Sequence, residues 1–418
     1  MKTRRISFTI LFFLLTGFWL TAWGGVKLPR LISDGMVLQR NRDVKIWGWA
    51  APGEKITVQF RDHIRKTSAD ENGDWQIILT GLQAGGPYEM RIHASNDVTI
   101  RDILIGDIWV CSGQSNMVLP MQRVNDLYQK EMDDSENAFI RYFRIPDHYD
   151  FDQPQTDVRS GEWQSANPEN TSRFSAVAYF FAKTMVDRYD VPVGIINASV
   201  GGSPIEAWMS EEALKDFPGH LETLKNFRDS AYVNQIVRKD RNRSDAWHHR
   251  LQQNDKGLGH GISWFDTAYD ASGWPVMTLP TFWDETEAGS INGVIWFRKE
   301  VYIPESMAGQ PAMLRLGRIV DADFVYLNGQ QVGSTSYQYP PRKYKLDRNL
   351  LKAGKNVLAV RVVNYIGRGG FIKDKPYRLM TGEDVIDLKG GWQYRIGAVM
   401  GQRAVCGTHC LIARLERE

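Results

Sequence analysis

Cysteine is scarce in this 418-residue sequence, which has only Cys111, Cys406 and Cys410. So few cysteines argue against a disulfide framework. The last two would make a poor zinc site without further ligands, so we expect no metal. Cys111 lies in an apolar segment, where a buried free thiol is the expected state.

Excess charge of one sign is also absent. The formal net charge is +2, from 51 basic and 49 acidic residues, and no basic run lies beyond the N-terminus. The sequence therefore gives no electrostatic reason to expect nucleic acid as a partner. Long apolar runs are missing after the first 22 residues, although a membrane-spanning helix needs about 20 apolar residues.

The N-terminus has the pattern of a secretory signal peptide. Three basic residues precede an apolar stretch from Ile6 to Leu20, and small residues follow at positions 21 and 22. We expect residues 1–22 to be removed on export. The mature protein would then be secreted or periplasmic, with no membrane attachment.

The pattern of apolar residues predicts three kinds of segment. Residues 23–103 contain short alternating runs such as Val44–Trp49, which predict an N-terminal β-sandwich. Residues 104–260 contain the nearly continuous apolar run Ile103–Cys111, a helical stretch from Ser175 to Tyr189 and the apolar run Val191–Asn197. Strand, helix and strand in this order predict a doubly wound α/β domain, with its first strand buried on both faces.

From about residue 261 the pattern returns to β. Alternating segments begin near residues 294, 312, 323 and 356, and Asn328-Gly329 predicts a hairpin turn. A second β-sandwich over residues 261–380, inserted into the α/β domain, accounts for this order. Residues 381–418 would then begin the remainder of the α/β domain.

Ser115 is the candidate nucleophile. The segment Gly113-Gln114-Ser115-Asn116-Met117 directly follows the first apolar strand, so Ser115 is expected at the carboxyl end of the sheet, where α/β folds place their sites. A serine acts as a nucleophile when a base takes its proton, and the developing oxyanion needs hydrogen-bond donors. The motif alone is weak, because it lacks the second glycine of the α/β-hydrolase elbow.

A second turn strengthens this interpretation. The block from Asn197 to Trp208 also leaves an apolar strand and contains Gly201-Gly202. A glycine amide there is placed to donate to an oxyanion. Each turn alone is equally typical of an ordinary strand-to-helix connection, whereas two such turns on neighbouring strands favour a site.

Three segments together resemble the sialate O-acetylesterase family of SGNH-type carbohydrate esterases: Leu31–Gln39, Gly113–Met117 and Gly201–Trp208. The resemblance runs from about Leu28 to Met400. It implies an SGNH-hydrolase-like sheet with Ser115 as nucleophile and the amides of Ser115 and Gly202 in the oxyanion hole. It also implies an O-acetylated carbohydrate as substrate, such as a 9-O-acetylated sialic acid or a related glycan ester, and a reaction without metal or cofactor. The segment from Trp274 to Gly370 resembles the galactose-binding-like jelly roll of β-galactosidase-like glycosidases.

Two later blocks of that family have no counterpart here. The family has a Gln-Gly-Glu-Ser block and, near its C-terminus, an Asp-x-x-His that supplies the base. The likeness is lost near Gly401, as a reading-frame shift followed by an early stop would cause. We therefore expect an incomplete esterase sheet, an aberrant tail from about residue 401, weak or no activity and poor solubility.

Two other histidines are weak candidates for the base. Asp245-Ala246-Trp247-His248 matches Asp-x-x-His literally, but it lies in a polar helical stretch, and so short a pattern arises easily by chance. His409 has no acid at the right spacing. Two other hypotheses remain: a non-catalytic carbohydrate-binding protein, and a fragment without a stable fold.

Overall fold

A computed structural model describes residues 25–259 and 261–401. The chain divides into two units after Ser210. The predicted signal peptide, Cys406, His409 and Cys410 lie outside the described residues. Within the described part of the chain, no helix is both long and apolar enough to span a membrane.

From residue 25 to residue 210, the first unit contains ten strands, four α-helices and two 3-10 helices. Its strands are β1 Val37–Gln39, β2 Val44–Trp49, β3 Lys55–Phe60, β4 His63–Ser68, β5 Asp74–Leu79, β6 Gly85–His93, β7 Asp97–Gly113, β8 Asn137–Arg144, β9 Trp163–Ala166 and β10 Val193–Ser199. Its α-helices are α1 Ser115–Val118, α2 Asn125–Asp133, α3 Pro168–Thr171 and α4 Ala176–Tyr189, and its 3-10 helices are Met121–Val124 and Ile205–Trp208.

One long strand, β7, joins the two parts of this unit. Its first half pairs antiparallel with β6, in a sheet ordered β4-β3-β6-β7, and the two-stranded antiparallel sheet β2-β5 packs against that sheet through a shared apolar core. From Asp107 onward β7 pairs in parallel with β10, which pairs in parallel with β8. The boundary that we expected at residue 103 therefore falls inside one continuous strand.

Polar residues before, within and directly after β1 fasten this part of the chain to β7. Asp34 Oδ1 accepts a hydrogen bond from the amide of Arg101 at 2.7 Å. Gln39 Oε1 accepts from the amide of Ile108 at 2.9 Å, and the Arg40 guanidinium binds both oxygens of Asp107 at 2.9 Å. The bonds from Arg40 hold the pKa of Asp107 below its usual value. The polar residues of the Leu31–Gln39 motif are therefore explained by strand attachment.

The helix and strands predicted in this unit are confirmed, with one difference in burial. Ser175 caps α4 by accepting from the amide of Ala178 at 3.3 Å. The prediction that β7 is buried on both faces through Cys111 is wrong, because Trp109 is 42% and Val110 69% exposed. Pairing with β6 ends at Ile105, and among the described residues only β10 continues beside β7.

In its described residues, the second unit contains two large antiparallel sheets around one apolar core and the short two-stranded sheet β14-β19. The orders of the two large sheets are β11-β22-β12-β18-β15-β16 and β17-β13-β20-β21. The strands are β11 Val276–Leu279, β12 Gly293–Ile303, β13 Ala312–Leu316, β14 Ile319–Val320, β15 Ala322–Leu327, β16 Gln330–Thr335, β17 Lys343–Leu346, β18 Gly354–Asn364, β19 Gly370–Phe371, β20 Tyr377–Thr381, β21 Asp384–Asp387 and β22 Gly390–Val399. The helices are α5 Pro218–Phe227, α6 Ser230–Asn254 and the 3-10 helices Ala213–Asp216, Lys256–Leu258 and Trp283–Glu285.

The predicted hairpin turn is present between β15 and β16. Asn328 and Gly329 both have positive φ, at 48° and 83°, as a type I′ turn requires. The side chain of Asn328 also accepts from the amide of Val357 at 2.9 Å, which fixes the turn against the neighbouring strand.

Two segments expected in the α/β domain belong to this second unit instead. Strand β22 pairs with β11 and β12, and Trp392 is 2% exposed in the core between the sheets. The expectation that residues 381–418 begin more of the α/β domain is therefore wrong for Gly390–Val399. Residues 211–259 also pack here, because α6 buries Trp247 and Leu251 against the outer face of the six-stranded sheet.

Buried polar contacts hold that outer layer in place. Asp255 Oδ2 accepts from Arg361 Nε at 2.7 Å, and Asp255 Oδ1 accepts from the indole N–H of Trp296 at 2.8 Å. Arg298 donates to the backbone carbonyls of Trp264, at 2.6 Å, and Asp266, at 2.9 Å. Each buried charged group thus has partners, as burial of charge requires.

Candidate active site

Ser115 lies where the sequence pattern places it. Strand β7 ends at Gly113, and Ser115 is the first residue of the single-turn helix α1. Gly113 has φ of 145°, a backbone conformation that favours glycine. The amides of Met117 and Val118 both donate to the carbonyl of Gln114, at 2.9 and 3.0 Å. The turn therefore holds Ser115 exposed at the carboxyl end of the parallel strands.

The glycine turn after β10 lies directly beside Ser115. Ser199 pairs with Gly113 at the ends of their strands, and the amide of Val200 donates to the Gly113 carbonyl at 3.1 Å. A Cβ built on Gly201 would lie 3.8 Å from the Ser115 Cα and 3.9 Å from its Cβ. A larger side chain at position 201 would therefore cover the serine.

Side chains from both turns link them further. The Gln114 amide nitrogen donates to the carbonyl of Ser203, and the Trp208 indole N–H donates to the Ser203 hydroxyl at 2.9 Å. Gly202 has φ of 77°, which again favours glycine. Asn116, the remaining motif residue, is exposed in the first turn of α1.

The two amides assigned to the oxyanion hole lie on these turns. A first-turn helix amide such as that of Ser115 has no partner within its own helix. Neither it nor the Gly202 amide donates to another backbone group in the described part of the chain.

A buried polar network supports both turns, and the sequence analysis did not identify it. Asn197 is 0% exposed, and its Oδ1 accepts from Arg144 Nη1 at 2.6 Å and from the Ser199 hydroxyl at 2.7 Å. Its Nδ2 donates to the Met117 carbonyl at 3.4 Å. Arg144 also pairs with Asp147 at 2.9 Å. An asparagine within an otherwise apolar strand was the available signal.

We expect Asn197→Ala to lower the free energy of unfolding of the first unit by about 1–3 kcal/mol. The substitution leaves the buried Ser199 hydroxyl and the half-buried Arg144 guanidinium without their shared acceptor. Denaturant titration measures the effect. The matched control is Asn116→Ala, at an exposed position where the change should stay within about 0.5 kcal/mol. Equal effects of the two substitutions would contradict the role given to Asn197.

No histidine among the described residues forms a hydrogen bond with Ser115. His148 follows β8 at this same edge of the sheet, and its Nε2 is buried without a partner in the described part of the chain. His248 lies on α6 of the other unit, where Nδ1 faces the Ser244 carbonyl at 2.8 Å. Its ring packs against Trp247 and Tyr365, and no hydrogen bond joins it to Asp245. The pair that the Asp-x-x-His pattern requires is therefore not formed there.

Cys111 and Tyr149 both have raised pKa values, so neither is an activated nucleophile at neutral pH. Burial raises the pKa of Cys111, so its thiol stays protonated and weakly reactive at neutral pH. Burial, together with the nearby Asp147, raises the pKa of Tyr149 to about 12. Within residues 25–259 and 261–401, no group of three or more potential metal ligands is present.

A mixed α/β sheet with a serine turn and a glycine turn at its carboxyl edge is an arrangement that esterases use for acyl transfer. Residues 105–242 match the family described as carbohydrate esterase, sialic acid-specific acetylesterase. Through this segment the chain is similar to the sialate O-acetylesterase family of carbohydrate esterases. Residues 229–394 match the sugar-binding domain of glycosyl hydrolases family 2.

Individual relatives agree with the family match. Sialate O-acetylesterases from Pongo abelii and Homo sapiens are 30% and 29% identical over 209 residues, which is 46% of this chain and 40% of each relative. The match thus spans about two fifths of the length of these relatives. A carbohydrate acetylesterase structure from Xanthomonas citri is 22% identical, with a TM-score of 0.45, and the alignment covers 79% of this chain and 93% of that one.

Proposed function

We propose that the first unit binds and hydrolyses acetyl esters of carbohydrates, with Ser115 as the nucleophile. The carrying observation is that the Ser115 and Gly201 turns lie side by side at the carboxyl edge of β7 and β10. The substrate class comes from the family match and from the relatives' names: an O-acetylated sialic acid or a related glycan ester. The signal-like N-terminus supports action outside the cytoplasm.

The chemistry follows from this arrangement. The Ser115 Oγ attacks the acetyl carbonyl carbon while a base takes its proton, and the amides of Ser115 and Gly202 donate to the oxygen that becomes negative. The sugar hydroxyl then leaves with a proton, and the acetyl group remains on Ser115. Water attacks that ester and releases acetate. The sequence uses residues 113–117 and 197–208 for positioning and oxyanion stabilisation.

Among the described residues, no base is in place to accept the proton of Ser115. The Ser115 hydroxyl has no hydrogen bond to any described residue, whereas a general base must reach within about 3 Å of the proton. We propose that binding of the ester is retained and that turnover by the 418-residue chain is impaired. Binding and turnover are therefore tested separately.

Ester binding is tested by saturation-transfer NMR with 9-O-acetylated sialic acid. We expect the O-acetyl methyl protons to receive more saturation than the N-acetyl methyl protons of the same molecule, because the ester faces the protein at Ser115. Ser115→Phe should abolish this preference by filling the site, and Ser160→Phe, at an exposed position in the same unit, should not. Equal saturation of both methyl groups in the unaltered protein would contradict the assignment.

The domain arrangement is proposed in the same terms. The parallel strands β7, β10 and β8 fit the first part of an SGNH-hydrolase-like doubly wound sheet. The two antiparallel sheets of the second unit fit a jelly roll of the galactose-binding type, in agreement with the match to a sugar-binding domain over residues 229–394.

A further inference from the structure

The two-stranded sheet β2-β5 of the first unit has aromatic and polar side chains on its outer face. Along β2, Ile46 and Gly48 are buried on the core side, and Lys45, Trp47 and Trp49 alternate with them on the opposite face. Trp47 is half-buried there, and part of its ring also packs against the core. Along β5, Asp74 and Gln76 are exposed, between residues that face the core. The register places Trp47 opposite Gln76 and Trp49 opposite Asp74. Aromatic rings of β2 thus lie opposite polar side chains of β5.

A cleft of about 450 Å³ opens beside this face. Its volume is within the range of small-molecule sites. The lining residues combine two indole rings with carboxylate, amide, hydroxyl and ammonium groups. Those that carry the argument below are Lys45, Trp47, Asp70, Asp74, Trp75 and Gln76.

The base of the cleft is rigid. Trp75 is 3% exposed, and Gly48 lies against its indole, since a Cβ on Gly48 would come within 3.2 Å of the ring and 2.3 Å of the Lys27 carbonyl oxygen. Only glycine therefore allows β2 to lie this close to Trp75 without displacement. Little reorganisation is needed before a ligand binds.

Trp47 is a platform held in place by its neighbours. Its ring centroid lies 5.2 Å from that of Trp49, with the two rings nearly perpendicular. The Lys45 ammonium lies 5.9 Å from the Trp47 centroid, on a flexible side chain that a ligand can displace. The indole is half-buried, so part of its apolar surface stays in contact with water. An apolar ring beside polar groups is complementary to a pyranose, which has an apolar C–H face and a rim of hydroxyls.

Polar groups at the rim are available for hydroxyls. The side chains of Asp74 and Gln76 form no hydrogen bond with other described residues, and both are exposed. Asp70 is fixed by accepting from the amides of Asn72 and Asp74 at 2.8 and 2.9 Å, which leaves its second oxygen free. Two carboxylates against one ammonium group favour a neutral sugar over an acidic one.

We propose that this cleft binds a neutral pyranose-based glycan chain, with one ring stacked on Trp47 and its hydroxyls bonded by Asp74 and Gln76. The site is separate from the Ser115 turn and requires no ester. It would hold the first unit on a polysaccharide while acetyl groups elsewhere on the same polysaccharide reach Ser115.

The test is isothermal titration of the 418-residue protein with three ester-free probes: xylohexaose, cellohexaose and mannohexaose. We expect at least one to bind with a Kd of about 1 mM or lower. Trp47→Ala should weaken this binding about tenfold or more, since aromatic anchors carry much of such affinity. Gln76→Ala, at an exposed position outside the core, should weaken this binding several-fold. This variant tests the proposal if Trp47→Ala does not fold.

Two controls separate this site from the esterase site. Ser115→Ala should bind each probe as the unaltered protein does, so failure of the esterase proposal leaves this result unaffected. Tyr189→Ala removes an exposed aromatic of the same unit that does not line the cleft, and it should also leave binding unchanged. Absence of binding for all three probes would overturn the proposal. It would also be overturned if folded Trp47→Ala and folded Gln76→Ala bound the probes as tightly as the unaltered protein does.

Discussion

The purified 418-residue protein is expected to hydrolyse para-nitrophenyl acetate about 10⁴-fold more slowly than a serine esterase with a complete triad, or slower still. The chain contains the proposed oxyanion donors, the amides of Ser115 and Gly202, but no base forms a hydrogen bond with Ser115 among the described residues. A serine hydroxyl keeps its proton at neutral pH, so attack on the ester is slow. Steady-state release of nitrophenol, corrected for the uncatalysed rate, measures the deficit.

Comparison with Ser115→Ala shows whether the base is truly missing. Triad residues act as a unit, so removing the nucleophile from a site without its base should change the residual rate less than about tenfold. Ser160→Ala is the matched control at an exposed serine of the same unit. A fall of about 10³-fold or more in Ser115→Ala would contradict the expectation and show that a base reaches Ser115.

The location of Ser115 could be predicted from the sequence because it depends on local order. An apolar strand followed at once by Gly113 places the next residues at the carboxyl end of a sheet, whatever surrounds it. The glycines at 201 and 202 carry the same information for the neighbouring strand. That the turns are adjacent required the parallel pairing of β7 with β10, which the strand–helix–strand order indicates.

The supporting network could not be predicted in the same way. Arg144, Asn197 and Ser199 meet because β8 and β10 are neighbours in a particular register, and single-residue patterns do not encode register. The Leu31–Gln39 motif illustrates the opposite case. It was identified as a family signature, and the structure explains its polar residues by attachment to β7.

Domain boundaries were the least predictable part. Strand β22 was assigned to the α/β domain because the galactose-binding-like resemblance ended before it. However, β12 has eleven residues and hydrogen-bonding groups along both edges, and β22 satisfies the edge that β18 leaves free. Sequence order alone places helix α6 in the α/β domain. Its apolar residues Trp247 and Leu251, however, contact the β-sheet of the second unit.

Asp323→Ala is expected to destabilise the second unit by about 3–5 kcal/mol, because it removes one partner of a fully buried ion pair. Asp323 and Arg342 are both 0% exposed at their side chains, and Arg342 Nε lies 2.6 Å from Asp323 Oδ1. Tyr344 donates its hydroxyl to the second carboxylate oxygen. Without Asp323 the guanidinium keeps only its bonds to the carbonyls of Asp321, at 2.8 Å, and Pro340, at 2.7 Å.

The size of this effect depends on burial rather than on the presence of an ion pair. The control is therefore Glu300→Ala, which breaks the exposed pair with Lys355 in the same unit, where side-chain exposure is 46% and 54%. That change should cost about 0–1 kcal/mol. Urea denaturation followed by tryptophan fluorescence compares the two variants, since Trp283, Trp296 and Trp392 are buried in this unit. Comparable losses in both variants would mean that Arg342 reaches solvent or other partners once Asp323 is removed, and that the buried pair does not hold β15 to the segment before β17.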